Sequence, residues 1–421
     1  MKKDTNVSSA APSTDTPTAK TSAHWVGVGS LGIGVFAIVM SEYLPASLLP
    51  PIAADLGISV GAAGQSVTVT AVAAALSALF ISVVLPRTDR RRVMLGLTLL
   101  AVISDVVVGL APNLAVVLAS RFLLGIALGG FWAMATAMAA SLVPEGYLGR
   151  ALTVINIGVS VATVGAVPLG AWLGDVWGWR AVFLLGAGLA AVALIVQAVT
   201  LPHVAAASGS GLRALGSTLR SRVVIILLFA VLLVFSGHFS GFTYIRPISA
   251  SLSNIDTAGL ALLLLVFGIA NFLGTAVGGT LADRALRVTV FLFPALAGIG
   301  MFVMLTTGGS TVGLYVAAAL WGFGFGGVPT AALTWGAKLE PTRLEQIGGL
   351  IITVCNIGVA VGAILGGIIV DGVSPSASLV FGGLAALAGA VLLVSLRQHP
   401  AASRPEEYAS APDTTERANT A

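Results

Sequence analysis

The sequence predicts an all-α membrane protein of twelve transmembrane helices arranged as two pseudo-symmetric six-helix bundles. Three observations predict it. The 421 residues are 57% apolar and only 9% charged, whereas the surface of a soluble domain needs about a quarter charged residues. Uncharged apolar runs long enough to cross a hydrocarbon core of roughly 30 Å recur along almost the whole chain. Short phrases of the first half also return about 200 residues later. The apolar fraction excludes a disordered chain. The runs are about twice the roughly ten residues of a barrel strand and apolar on every face, so they read as helices.

The first run, 25–49, follows a Ser-, Thr-, Pro- and Ala-rich segment (1–24) expected to be a disordered tail. Lys2 and Lys3 do not adjoin it and it is too long for a signal-peptide core, so it stays as a membrane helix. The cluster Arg87, Arg90, Arg91 and Arg92 separates 62–86 from 93–111, and Pro112-Asn113 separates 93–111 from 116–140. Arg150 marks the start of 149–173, and Arg180 that of 178–201. The longest link, 202–222, contains Ser208-Gly209-Ser210-Gly211 and divides the chain into units 25–201 and 223–396. The second unit holds 223–248, 257–281, 288–308, 311–337, 346–370 and 376–396, and a polar tail (397–421) follows.

Positive residues stay on the cytoplasmic side of a membrane. With both termini inside, eighteen of the 21 Lys and Arg fall in cytoplasmic segments and only Arg180 in an external loop. The other two, Arg121 and Arg246, lie within or at the edge of a helix. Basic clusters are thus accounted for by topology, without nucleic acid as a partner.

Duplication shows in register. Asn156-Ile157-Gly158-Val159 returns as Asn356-Ile357-Gly358-Val359, and Gly125, Gly129 and Gly130 as Gly322, Gly326 and Gly327. Tyr43 before Pro45 matches Tyr244 before Pro247, and Asp89-Arg90 matches Asp283-Arg284. Two similar bundles joined by a linker can rock about a site between them. Small-xxx-small pairs let helices approach closely, and Pro168 and Pro329 are bends that either move or stay as fixed kinks.

Several chemistries have no residues to carry them. The lone Cys355 excludes disulfide, zinc or iron–sulfur sites built on paired cysteines, and His24, His203, His238 and His399 show no metal-ligand spacing. No G-x-x-x-x-G-K-[ST] loop surrounds any of the four lysines, so an ion gradient rather than ATP is the expected energy source. No nucleophile and base pair suggests an intramembrane enzyme.

Motifs add a resemblance. Arg121-Phe122-Leu123-Leu124-Gly125 with Gly129, the run Gly165-Ala166-Val167-Pro168-Leu169-Gly170, Trp179-Arg180 with Phe183, and Gly279 to Arg287 with Asp283 and Arg284 resemble the major facilitator superfamily, drug/proton antiporter branch. Ser41-Glu42-Tyr43-Leu44-Pro45, the stretch Gly64 to Ala71, Leu128 to Met134 and Phe242 to Pro247 are similar to its sugar and nucleoside efflux subgroup. The first-half loop at 87–92 lacks the family's upstream glycine, so no gating role is carried to Asp89.

The resemblance implies the major facilitator fold and a monomeric antiporter in the bacterial inner membrane. It also implies alternating access, exporting purine ribonucleosides and related analogues in exchange for protons. No cofactor is implied; the expected partners are a small-molecule substrate, protons and the lipid bilayer. Efflux of sugars or lipophilic drugs is the alternative within transport, and a sensor without flux the alternative outside it. The motif positions imply proton transfer for Arg121 and conformational roles for Gly165, Pro168, Gly170, Asp283 and Arg284.

An acid inside a membrane costs about 2.5–3.5 kcal/mol on insertion scales, and such residues are functional by default. Of seventeen acids, only Glu42 and Asp105 fall inside the runs. Glu42 is either the proton carrier or a carboxylate neutralised by a neighbour. Asp105 and Arg121 lie at similar depth and can pair structurally; with Glu42 they form the candidate proton-coupling set. One proton moving down 100 mV and one pH unit gains about 2.3 and 1.4 kcal/mol, enough for one carboxylate to sustain a neutral-solute gradient of roughly several hundredfold.

Candidate substrate residues are Tyr43, Gln65, Trp132, Asn156, His238, Tyr244, Arg246, Asn271, Trp321 and Asn356. Trp132 and Trp321 offer faces to a purine, and the amides and His238 offer hydrogen bonds to base edges or ribose. The alternatives are helix packing for the aromatics, interhelical hydrogen bonds for the amides, a serine partner for His238, and snorkelling or a gate with Glu42 for Arg246.

Overall fold

The computed structural model describes residues 24–85, 87–144, 147–204, 219–253, 255–307, 309–340 and 344–396. The tails expected at 1–24 (His24 apart) and 397–421, linker residues 205–218 and the side chain of Asp283 lie outside the described residues. Among those described, twelve helical segments are long and apolar enough to cross a membrane.

The first six are α1 (Trp25–Leu56), α2 (Val60–Val84), α3 (Arg90–Gly109), α4 (Leu114–Leu142), α5 (Leu148–Trp177) and α6 (Trp179–Thr200). The second half holds α7 (Arg222–Phe242), the short α8 (Ile245–Leu252), α9 (Thr257–Thr306), α10 (Thr311–Leu339), α11 (Leu344–Gly372) and α12 (Ala377–Ser395). Helix α9 carries two spans, Thr257–Ala282 and Arg284–Thr306, without a loop. Ala285 (φ −146°, ψ 59°) leaves helical geometry and turns the chain between them.

Local chemistry sets the ends. Ser59, Asp89, Asn113, Asp256 and Ser310 cap α2, α3, α4, α9 and α10, each side-chain oxygen accepting an N–H of the first turn. Gly57 (φ 64°) ends α1 in the left-handed region, where other residues are strained.

Two elements differ from expectation. Helix α1 runs seven residues past 49, through Pro50 and Pro51, to Leu56. Neighbouring helices can satisfy the carbonyls that prolines leave free in a membrane helix, so the double proline does not stop it. The run expected at 223–248 is instead broken at Thr243 and Tyr244 into α7 and α8. Pro247 has no N–H, and its ring conflicts with the carbonyl four residues back, that of Thr243.

Each half packs on itself through the repeated glycines. A Cβ at Gly125 or Gly129 would collide with the carbonyls of Thr70 and Ala74 in α2, and one at Gly322 or Gly326 with those of Phe267 and Asn271 in α9. Hydroxyls and an amide reinforce the same seams: Thr70 Oγ1 donates to the Arg121 carbonyl, Thr275 Oγ1 to that of Gly326, and Asn271 Nδ2 to that of Gly322. The two bundles thus repeat a helix seam in sequence and in space. Between the halves, α2 meets α11, α5 meets the first span of α9, and α1 meets α8.

Candidate functional site

Glu42 and Tyr43 sit in α1 just before Pro45, where α1 faces the second half. There a cavity of about 10 Å³ is lined by Glu42, Tyr43, Ala46 and Val67 of the first half and Phe239, Phe242, Thr243 and Val359 of the second. That holds about one water molecule. Small-molecule pockets run to roughly 300–1,000 Å³, so this cavity is too small for a drug-sized molecule as it stands. Its only polar side chains besides the Tyr43 phenol are the Glu42 carboxyl and Thr243, whose buried Oγ1 has no hydrogen-bond partner. Tyr43 meets Phe242 edge-on across the interface, with ring centroids 6.2 Å apart.

Immediately before Glu42, Ser41 ties together a buried ionic group. Arg121 Nη1 donates to Ser41 Oγ at 3.1 Å and Nη2 to the Ser41 carbonyl at 2.7 Å. The Ser41 hydroxyl in turn donates to Asp105 Oδ1. Asp105 and Arg121 are 0% and 1% exposed and lie 3.8 Å apart. The arginine also sits over the Phe183 ring at 5.2 Å. Asp105 Oδ2 and Arg121 Nε have no partner, which leaves the network with spare hydrogen-bonding capacity one residue from the cavity acid.

Across the interface, His238 is packed in aromatics. Its ring stacks on Phe325 at 3.4 Å, and Phe239, Phe242 and Phe267 surround it. Trp321 Nε1 lies 3.0 Å from His238 Nδ1. An indole N–H only donates, so Nδ1 accepts and any ring proton of the neutral histidine is on Nε2. Trp321 is fully buried, behind Phe242 rather than in the cavity wall. Tyr244 is also fully buried and donates to the Ala363 carbonyl at 2.8 Å.

The other sequence candidates are spread out. Gln65 is half-buried in α2, and Trp132 is half-buried against the first-half core. Asn156 and Asn356 each donate to the carbonyl four residues back, those of Leu152 and Ile352. Asn271 joins the α9–α10 seam. Arg246 neither reaches Glu42 nor stands free: Nη1 donates to the Ser47 carbonyl at 2.8 Å, bridging the halves. Pro168 lies inside α5 with Gly165 and Gly170 on either side, and Gly170 packs on Leu44 and Ser47 of α1. Arg284 is exposed where the second span of α9 begins.

Sequence reading passed over Ser41, Phe239, Phe242 and Thr243 as site residues. Ser41 and Thr243 are common membrane-helix residues. The one signal in the sequence is their place beside Glu42 and Tyr244.

At the end of the molecule where α2 and α3 meet, Asp89 holds the start of the linker. His203 Nδ1 lies 2.5 Å from Asp89 Oδ2, the Val204 N–H donates to Oδ1, and Arg91 Nη1 bonds the other His203 nitrogen at 3.1 Å. Partial burial pushes the Asp89 carboxyl up, but bonds from His203 and the Arg91 and Val204 amides outweigh it and hold it below its ordinary value.

Comparisons with known proteins agree with this architecture. Residues 31–355 match the family model described as Major Facilitator Superfamily. The chain is 39% identical over 358 residues to "Transcription regulatory protein OpdE" of Pseudomonas aeruginosa, covering 83% of this chain and 88% of that one. It is 34% identical over 377 residues to "Purine ribonucleoside efflux pump NepI" of Shigella sonnei, covering 90% and 95%. The crystal structure of a point mutant of nucleoside transporter NupG superposes with a TM-score of 0.70 over 88% of this chain and 98% of that one, at 13% identity. At that identity the likeness is one of fold.

Proposed function

The chain belongs to the Major Facilitator Superfamily, and we propose on that premise that it exports purine ribonucleosides and related purine analogues in exchange for protons. It is a multi-pass membrane transporter. The observation that carries the finer reading is the placement of Glu42: a membrane-embedded carboxyl in a cavity shared by both halves. A proton carrier must meet each side in turn, and only a group between two rocking bundles does so.

In this proposal units 25–201 and 223–396 rock about the cavity, and Glu42 takes a proton from outside and releases it inside. The protein works as a monomer in the cytoplasmic membrane with linker and termini inside. The end carrying Ser59 is then external. Three hydrogen bonds between described residues cross the halves, Ser59–Asp371, Gly61–Asp371 and Arg246–Ser47, and all three lie at that end. This supports a state closed to the outside. Parting the bundles would widen the cavity and present Tyr43, Phe239 and Phe242 to a base and Thr243 to a hydroxyl.

Radiolabelled nucleosides, arabinose-like sugars and cationic dyes offered to inverted vesicles test the substrate: uptake of inosine or guanosine is expected, and uptake of only sugars or dyes would replace the purine assignment. The relative named OpdE favours a second reading, an effect on gene expression through sensing or through the level of an exported effector. Binding without flux in the same vesicles would favour sensing.

A further inference from the structure

Helix α2 has no acidic residue in its own first turn. A helix N-terminus carries roughly half a positive charge and unpaired N–H groups, which an acid normally complements. Here the acid comes from the other half of the molecule. Asp371, near the C-terminal end of α11, accepts from Ser59 Oγ at 2.6 Å and from the Gly61 N–H at 3.0 Å. Ser59 Oγ itself accepts from the Ala62 N–H at 3.0 Å, so one hydroxyl joins the cap of α2 to the carboxylate of α11.

The backbones are shaped for this approach. A Cβ on Gly61 would come within 2.7 Å of the Gly367 carbonyl, and one on Gly367 within 3.2 Å of the Gly61 Cα. The Tyr244 hydroxyl, held by the Ala363 carbonyl, fills the space beside Gly64 and Gly367. Two glycines in contact thus bring the last turn of α11 close enough for its carboxylate to cap α2.

We propose that Asp371 is the latch of the external gate: it supplies the cap of α2 only while the two halves are closed at this end. Opening the gate removes Asp371 and leaves the α2 N-terminus to Ser59 and water. The latch therefore biases the resting protein toward the externally closed state. It rests on the alternating-access reading above but not on the identity of the substrate. Because the site is exposed, its bias is modest, about three- to tenfold in the ratio of closed to open molecules.

The test is a distance measurement on the full chain in lipid nanodiscs, with Cys355→Ala removing the native thiol. Spin labels at Leu110 and Val312, exposed in opposite halves at the external end, report the gate. Labels at Arg150 and Lys338 report the other end. The parent should show mainly the short external distance. Asp371→Ala should raise the long-distance population about three- to tenfold, with the opposite change at the internal pair. Asp371→Asn and Ser59→Ala, which keep the packing, should shift it the same way by less, and they decide the matter if Asp371→Ala does not fold. Unchanged distributions in folded variants, or a parent dominated by the long external distance, overturn the latch. Distances are read without transport, so a failed substrate assignment leaves this result standing, and a failed latch leaves the export assay untouched.

Discussion

Arg121 closes on Ser41 at two points, Nη1 on the hydroxyl at 3.1 Å and Nη2 on the backbone carbonyl at 2.7 Å, and so fixes α4 to α1 one residue before Glu42. The Ser41 hydroxyl in turn donates to Asp105, the ion-pair partner of that guanidinium. One serine therefore ties the ion pair to the helix position just before the cavity acid.

Glu42→Gln keeps the shape of the side chain and removes its proton. Export driven by a pH gradient should fall to background, while exchange of labelled for unlabelled nucleoside continues. Retained gradient-driven export would take the carrier role away from Glu42.

Asp105→Ala leaves the Arg121 charge buried without its partner. A buried charge left unpaired costs about 3–5 kcal/mol, and unfolding titrated with SDS should show a loss of that order. Replacing both residues with neutral ones of similar size should recover most of it. A single-mutant loss under about 1 kcal/mol would show that the pair is solvated in the membrane.

Gly129→Ala and Gly326→Ala probe the repeated seam. Each adds a methyl against a backbone carbonyl of the neighbouring helix, Ala74 or Asn271, so each should cost about 1–3 kcal/mol by the same titration. Comparable losses at the two sites are expected because the halves repeat the packing.

The Asp89 clasp has a defined pH window. A carboxyl held below its ordinary value of 3.8 contributes fully above that pH and loses its contribution as pH falls through the lowered value. The Val204 amide resonance should therefore titrate below pH 3.8 in wild type and not at all in Asp89→Asn. A transition near neutrality would mean that Asp89 does not hold that amide.

The sequence made the membrane spans legible because lipid demands length and apolarity that nothing else in the chain mimics. Gly125, Gly129, Gly322 and Gly326 were legible for a similar reason: close helix approach leaves few choices of residue. The break at Thr243 is not legible because Pro247 acts on the residue four before it, and apolar composition continues through both. Thr243 and Phe242 became site residues only when α7 met α1, a long-range contact with no local pattern. Asp371 reads in the sequence as one more acid at a helix end; its partner lies 310 residues away in Gly61.

The central claim is that substrate and proton move against each other through this cavity. Purified protein in liposomes with an internal pH-sensitive dye tests it: an inosine gradient alone, at equal pH on both sides with the membrane potential clamped, should drive protons in the direction opposite to inosine. That movement should vanish in Glu42→Gln. Inosine flux with no proton movement, or inosine binding with no flux, would contradict the account.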